Sequence, residues 1–387
     1  MKIVKFTLFT ALFMFSANII MAQVYNSVNL TIENGCFLHI DGALNNASGD
    51  INNSGTIILT GNYINNGSFT SGNSSFVKME GAAQNISGSN ATTYNNLVVD
   101  GSGDKSLFVD ARIKGTLDFA NNKIIAGNNN VVLMPAATIT NASNAKFVVT
   151  NGTGALIKNS MPASTNFFFP IGSAVNSYKP VQLNNSGVVD TFSVRVTPGL
   201  VPPTSADNSC VQYTWVITET NPGGSNATLK VGWNTVDEGI SYIRAQGLFW
   251  HNVGGVWLTA PGNPGAVSNS PTTDWRQQTS ITDFSSNANK FILSSGTLVD
   301  VEENELTAGN TISVYPNPTG SSTTIASSFP LEQVMIMDYS GKVVGNYNNI
   351  ESNKFVFSAD NFADGMYIIS ASGSNGERKV CKLMISR

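Results

Sequence analysis

Short apolar runs alternate with polar turn residues along the first part of the chain, and the alternation has a fixed period. Runs such as Leu38-His39-Ile40 and Ile57-Ile58-Leu59 are each closed by a Gly or an Asn. The closing residues lie 19 or 20 positions apart and are Gly42, Gly61, Gly81, Gly101, Asn121 and Asn141. Since Gly and Asn enter left-handed backbone conformations at the least cost, the period marks one corner of successive coils. The pattern predicts an all-β protein whose residues 23–160 form a β-solenoid, with roughly six or seven stacked coils.

Pairs of asparagines lie between these corners and offer a second kind of contact between coils. They are Asn45-Asn46, Asn52-Asn53, Asn65-Asn66, Asn95-Asn96 and Asn121-Asn122. Stacked Asn side chains hydrogen-bond along a ladder in other stacked-strand assemblies, so we expect such a ladder here. A meander of antiparallel hairpins is the alternative, because turns such as Asn66-Gly67 also connect hairpin strands.

The period stops near residue 160, where prolines become frequent and longer alternating strands begin. Runs such as Phe192-Ser193-Val194-Arg195-Val196 are separated by turns rich in Gly and Pro, which predicts a β-sandwich over residues 161–296. All five tryptophans fall in this region. Trp215 and Trp233 lie inside alternating strands and are expected in the core. Trp250, Trp257 and Trp275 lie beside polar or Gly-rich segments and are candidate glycan-binding residues, because aromatic rings stack on sugars.

Residues 297–310 form an acidic linker with Asp300, Glu302, Glu303 and Glu305, and residues 311–387 form a separate terminal module. The module begins Tyr315-Pro316-Asn317-Pro318, in which the two prolines fix an extended entry that ends in a turn. Strand-like segments follow as far as Lys382-Leu383-Met384-Ile385. The alternation predicts a small β-sandwich of the immunoglobulin-like kind.

The terminal module resembles the type A C-terminal sorting domain of cargo proteins of the Bacteroidetes type IX secretion system. The matching residues are Tyr315, Pro316, Asn317 and Pro318 at the start, Asp338 and Gly341 in the central hairpin, Gly365 and Tyr367, and Lys382 and Leu383 near the end. The resemblance implies recognition by the type IX translocon and sorting machinery. In this family the module is commonly removed, and the cargo is attached to surface lipopolysaccharide or released. The upstream segment Gln84–Gly88, followed by Tyr94–Val99, resembles repeats of uncharacterised surface proteins from the same bacteria. Gly154–Lys158, followed by Phe168–Gly172, is similar to the junction that follows such repeats.

The amino terminus adds a second targeting signal. Residues 1–22 have Lys2 and Lys5 before an apolar run from Phe6 to Phe15, which is typical of a cleaved secretory signal peptide. We therefore expect passage through the periplasm to the outside, where the protein is secreted or attached to the outer-membrane surface. The net charge of −4 provides no basic surface for nucleic acid, and two His and three Cys argue against a metal centre or a disulfide framework.

Candidate chemistry is sparse. Asp100, Asp104 and Asp110 form the densest acidic group of the solenoid, with Lys105, Arg112 and Lys114 nearby. Asp at a corner is a common turn former, so the preferred interpretation is structural. The sequence predicts a non-enzymatic, adhesin-like protein without cofactor, metal or catalytic residues, which binds a glycan or a host or surface ligand. Two alternatives stay open, a carbohydrate-binding surface protein and a β-solenoid polysaccharide lyase or hydrolase.

Overall fold

A computed structural model describes residues 23–201, 207–260, 268–269, 273–285, 289–296, 311–338, 342–374 and 378–387. The predicted signal peptide (1–22), the predicted acidic linker (297–310) and Gly341 lie outside these residues. The chain is 59% strand and 2% helical, which confirms the predicted all-β class.

Residues 23–149 form nineteen short strands. They are β1 (Gln23–Asn26), β2 (Asn29–Ile32), β3 (Phe37–Ile40), β4 (Ala43–Asn46), β5 (Asp50–Asn53), β6 (Thr56–Leu59), β7 (Tyr63–Asn65), β8 (Ser68–Ser71), β9 (Phe76–Met79), β10 (Gln84–Ser87), β11 (Thr92–Tyr94), β12 (Asn96–Val99), β13 (Lys105–Leu107), β14 (Ala111–Ile113), β15 (Thr116–Asp118), β16 (Ile124–Ile125), β17 (Val131–Leu133), β18 (Thr138–Thr140) and β19 (Val148–Val149).

These strands wind into a solenoid with three faces, because every third strand joins the same sheet. The first face has the order β1-β4-β7-β10-β13-β16-β19, and the third has β3-β6-β9-β12-β15-β18. The second face consists of β2-β5-β8 and of β11-β14-β17. Each of these pairings is parallel. The solenoid prediction is therefore confirmed, with about eight turns, and the antiparallel-hairpin alternative is wrong.

Buried asparagines connect successive coils, as the sequence predicts. The Asn26 Nδ2 donates to Asn46 Oδ1 at 2.8 Å, and the Asn46 Nδ2 donates to Asn65 Oδ1 at 2.9 Å. The Asn65 Nδ2 continues to Thr92 Oγ1 at 2.9 Å. Each bond satisfies a buried amide that would otherwise be costly inside the stack, so the ladder fixes the register between coils.

The middle of the chain extends the solenoid into a sandwich. Its strands are β20 (Leu156–Met161), β21 (Asn166–Phe169), β22 (Ile171–Ala174), β23 (Ser177–Tyr178), β24 (Val181–Asn185), β25 (Asp190–Pro198), β26 (Tyr213–Glu219), β27 (Ala227–Trp233), β28 (Leu248–Val253), β29 (Val256–Thr259), β30 (Ser268–Asn269), β31 (Asp274–Ile281) and β32 (Lys290–Ser294). Three 3-10 turns lie at Asp207–Ser209, Thr235–Asp237 and Arg244–Gln246.

Two solenoid sheets run directly into this region. The first face continues through β22 to β23, and β17 pairs with β20, which begins the antiparallel order β20-β25-β26-β32-β28-β29. A second antiparallel sheet has the order β21-β24-β27-β31-β30. One buried cluster extends from Ile32 in the first coil to Leu293 in β32, and it contains Trp215 and Trp233 as predicted. Solenoid and sandwich therefore share a single core.

The described residues of the terminal module form five strands, β33 (Ile312–Tyr315), β34 (Ser322–Met337), β35 (Val343–Ser358), β36 (Gly365–Gly373) and β37 (Arg378–Ile385). The long strand β34 pairs with β33 near its start and with β36 near its end, while β35 follows it along both parts. Pairing of β36 with β37 completes the sheet. A separate core, with Ile325, Val334, Phe357, Ile369 and Leu383 among its members, holds the module together.

The chain divides into two compact units, Met1–Asp300 and Val301–Arg387. Within the part of the chain described by the structure, no helix has the length and apolar character needed to cross a membrane.

Candidate functional site

The Tyr315–Pro318 segment is attached to the last strand of the terminal module by the side chain of Asn317. The Asn317 Nδ2 donates to the carbonyl of Lys382 at 2.8 Å, and the Met384 N–H donates to Asn317 Oδ1 at 2.8 Å. One step further, the Thr319 N–H donates to the Met384 carbonyl and the Ser386 N–H donates to the Thr319 carbonyl, both at 2.9 Å.

The Asn317 carboxamide thereby takes the position that a peptide group has in a parallel ladder. Its two bonds bracket Leu383, just as the backbone of Thr319 brackets Ile385. Pro316 and Pro318 have no N–H to offer, so a side-chain amide between them is the way for this segment to pair with β37. The residue type at position 317 is therefore explained by the pairing of the edge strand.

Asp338 and Tyr367 both line one cleft. Asp338 lies directly after β34, and its Oδ1 accepts a hydrogen bond from the Lys342 N–H at 3.1 Å. The Tyr367 ring is buried against Phe362, and its hydroxyl donates to the Ala363 carbonyl at 2.9 Å. The cleft is open, holds about 450 Å³, and is lined by Asp338, Val344, Tyr347, Asn361, Phe362, Ala363 and Tyr367.

The remaining motif residues divide into buried and exposed ones. Leu383 lies fully in the core, and Gly365 begins β36 at a φ of +152°, which favours glycine. Tyr315 is 49% exposed and Lys382 is also exposed. The motif thus combines buried residues that shape the module, such as Tyr367 and Leu383, with exposed ones, which are Tyr315–Pro318 and Lys382.

The candidate glycan-binding tryptophans do not share one surface. Trp257 is only 3% exposed and packs with Leu200, Cys210 and Ile292, and the half-buried Trp250 packs against the same cluster. Trp275 lies on the other sheet, with the Lys230 Nζ 5.1 Å from its ring centre. A buried ring cannot stack on a sugar, so the structure gives no support to Trp257 as a ligand contact. Glycan binding by Trp250 and Trp275 stays a prediction.

The acidic group of the solenoid connects neighbouring coils. Asp100 accepts from Lys78 at 2.9 Å and from Asn121 of the next coil. Burial acts to raise the pKa of Asp100, but the hydrogen bonds from Lys78, Gly101 and Asn121 outweigh it and the pKa is lowered. Asp104 Oδ1 accepts from the Lys123 N–H at 3.0 Å. Asp110 behaves alike, since its Oδ1 accepts from the Asn130 N–H at 2.7 Å.

Buried lysines are features that the sequence interpretation missed. The Lys105 Nζ donates to the carbonyls of Gly81 and Ala82 at 2.8 and 2.9 Å, and burial lowers the pKa of Lys105 to about 8. Lys158 donates to three carbonyls of the coil before it. Lys179 forms a buried ion pair with Asp237 at 3.0 Å. The burial of Lys105 could have been predicted from the alternation of side chains along a strand, because Lys105 lies two residues from the buried Leu107 and therefore on the same face.

Among the residues that the structure describes, no three His, Cys, Asp or Glu side chains come close enough together to hold a metal ion. Residues 313–386 match the family of secretion system C-terminal sorting domains. No curated protein and no solved structure matches the chain. The family match coincides with the module built around Asn317, Tyr367 and Leu383. Residues 313–386 therefore form a type IX secretion C-terminal sorting domain, and this domain supports export of the chain as a secreted or cell-surface protein.

Proposed function

We propose that the exported protein is a non-enzymatic, adhesin-like surface protein whose solenoid presents a regular polar face. The proposal is supported by the arrangement of polar side chains on the outer side of β2, β5 and β8. Two rows of polar side chains cross these strands in register, Asn29–Asp50–Ser68 and Thr31–Asn52–Thr70. Successive groups in such a row repeat about every 4.8 Å. A fixed array of hydroxyl, amide and carboxylate groups suits a repetitive polar ligand.

The acidic residues support a structural role in place of catalysis. Asp100, Asp104 and Asp110 each use a carboxylate oxygen to bond a group of the next coil. A general acid or base needs its carboxyl directed at a substrate, so these engagements oppose the lyase or hydrolase alternative. If sugar release from polysaccharides is observed and Asp100→Ala and Asp104→Ala leave it unchanged, the solenoid acids are not its source.

Binding is tested with matched threonine variants of the full chain. Thr31→Lys and Thr70→Lys place cations in the polar rows, while Thr138→Lys and Thr140→Lys alter exposed threonines on the third face. We expect the first pair to reduce adhesion to cells and to immobilised glycans and the second pair to leave it unchanged. Equal adhesion by both pairs would refute the proposed face.

The route to the surface is part of the proposal. Residues 1–22 direct the chain to the periplasm, and the sorting domain then directs it across the outer membrane. Deletion of residues 311–387 should leave the protein in the periplasmic fraction. Unchanged surface levels of the deleted chain would contradict this route, and mass spectrometry of the native mature protein would show both processing sites and any attached lipopolysaccharide.

A further inference from the structure

One outer face of the sorting domain is unusually rich in methionine. Strand register places side chains of β35, β34, β36 and β37 in rows across the sheet. Val343, Met337, Ile368 and Lys382 form one row, and Asn346, Met335, Ser370 and Val380 form the next. Met366 and Met384 are paired beyond the first row. We call Val343, Met335, Met337, Met366, Ile368, Val380 and Met384 the methionine face.

This face points away from the core. The alternate residues of the same strands, Val334, Ile336, Ile369 and Leu383, are buried in the core of the domain. Since side chains alternate along a strand, the methionine face lies on the other side of the sheet. Val380 is 59% exposed, and Met366 and Met384 are 43% and 42% exposed. Both sides of this half of the sheet are therefore largely apolar. On the outer side Met335, Met337 and Ile368 are half-buried, and the buried Ser370 accepts a hydrogen bond from Arg378 Nε at 3.0 Å, so the exposed part of the face consists of Val343, Met366, Val380 and Met384.

The surroundings of the face are polar and cationic. Arg378 and Lys382 alternate with Val380 and Met384 along the outer side of β37. Gln333, Asn346 and Ser372 complete the rows, and no acidic residue stands among the described row partners. An apolar centre with a polar rim is the usual anatomy of a protein interface, and methionine adapts its shape to a partner.

The sorting motif fixes the edge of this face. Asn317 bonds the backbone of Lys382 and Met384, which flank Leu383, and Met366 stands between Gly365 and Tyr367. The exposed Asn317 thus fixes the backbone of Met384, and the buried Tyr367 directly follows Met366 in β36. The motif is therefore continuous with the edge of the methionine face.

We propose that the methionine face is the surface by which the sorting domain docks on a protein of the secretion machinery. The partner surface is apolar and carries acidic groups opposite Arg378 and Lys382. The inference rests on the export role of the sorting domain and names the surface through which that role is exercised.

Two valines provide a matched test in the full chain. Val380→Glu places a charge in the methionine face, whereas Val356→Glu places one on β35 in the other half of the domain, where Val356 is 68% exposed. We expect Val380→Glu to lower the exported fraction about tenfold, as loss of an interface hot spot does, and Val356→Glu to leave it within about twofold. Met366→Gln with Met384→Gln, which keeps chain length and strand character, should lower export in the same direction.

Folding and electrostatics are checked in the same experiment. Each purified variant must retain the wild-type hydrogen-exchange pattern over residues 378–387, and Lys382→Glu should reduce export as Val380→Glu does. Normal export of a folded Val380→Glu protein, or equal losses for Val380→Glu and Val356→Glu, would overturn the docking face. Normal export of Lys382→Glu would overturn the acidic character of the partner.

A lipid surface is the other occupant to be tested. If the wild-type chain binds anionic phospholipid vesicles and Val380→Glu abolishes that binding, the face is a membrane contact and the protein-docking proposal is wrong. Deletion of residues 311–387 separates this inference from the export function. If the deleted chain is still exported, the proposal that the sorting domain directs export is wrong. If the deleted chain is retained but Val380→Glu is exported normally, only the proposal of a docking face is wrong.

Discussion

Replacement of Asn317 by alanine should loosen the last strand of the sorting domain while leaving its core intact. The substitution removes the two 2.8 Å hydrogen bonds to the backbone of Lys382 and Met384. Each such bond contributes about 0.5–1.5 kcal/mol. Asn317 is exposed, so water can solvate the freed groups, and the combined cost is about 1–2 kcal/mol. A loss of about 1.4 kcal/mol corresponds to a tenfold shift in the local opening equilibrium.

Hydrogen exchange of the full chain measures this shift directly. The amide of Met384 should exchange about tenfold faster in Asn317→Ala than in the wild type, because its acceptor is lost. Asn317→Asp keeps an acceptor for Met384 but loses the donor to the Lys382 carbonyl, so the Met384 amide should stay better protected than in the alanine variant. Asn353→Ala, at an exposed asparagine of β35, serves as the control.

Export should follow the same order as protection, with Asn317→Ala exported least. If Met384 exchanges at the wild-type rate in Asn317→Ala, the side chain does not act as a ladder member and the reasoning is refuted. If exchange accelerates while export stays normal, the ordering of β37 is unnecessary for recognition, and the link between motif and docking face is broken.

Three further predictions concern the body of the protein. Gly81→Ala would place a Cβ against the carbonyl of Thr60 in the preceding coil and should lower the free energy of unfolding by at least about 2 kcal/mol. Gly127→Ala would bring its Cβ only to 4.0 Å from the Leu107 carbonyl oxygen, at a φ of +58°, and should lower the free energy of unfolding by about 1 kcal/mol; urea denaturation measures both. Trp257→Ala should lower the free energy of unfolding by about 3–5 kcal/mol, because the ring is buried. A variant that keeps its full stability but has lost glycan binding would contradict the burial of this ring. The unfolded Lys105 keeps its proton to about pH 10.5 and the folded one only to about pH 8, so the unfolded state binds more protons between these values and stability should rise with pH there. Lys105→Met should lack this rise when urea midpoints at about pH 7.5 and 9.5 are compared, and an equal rise in both proteins would refute the role of Lys105.

The solenoid was predictable because its signals are local and repeated. The corner glycines at positions 81 and 101 admit no side chain where coils stack, so the sequence records them at a fixed period. The ladder of Asn46 and Asn65 follows from the same stacking. These features arise where one coil contacts a neighbouring coil of similar sequence. Both contacting residues therefore recur at the repeat period and can be recognised in a single sequence.

The buried face of a strand was harder to predict where both faces of that strand carry apolar side chains. Along β34, Val334 and Ile336 enter the core while Met335 and Met337 face outwards, and all four are hydrophobic. The alternation of polarity that normally assigns the faces is absent there. In β29 the buried Trp257 likewise lies between the exposed Val256 and Leu258. Only the pairing with distant strands settles which side is covered.

The shared core of solenoid and sandwich bears on how such proteins diversify. The sandwich covers one end of the solenoid, and each coil contacts only the coils next to it. Tandem duplication of a twenty-residue unit among β1–β18 would therefore lengthen the solenoid and leave the β19–β22 pairing unchanged. Every added unit extends the body by about 4.8 Å. The length of the solenoid can thus be changed by simple gene repeats while the sorting domain stays the same.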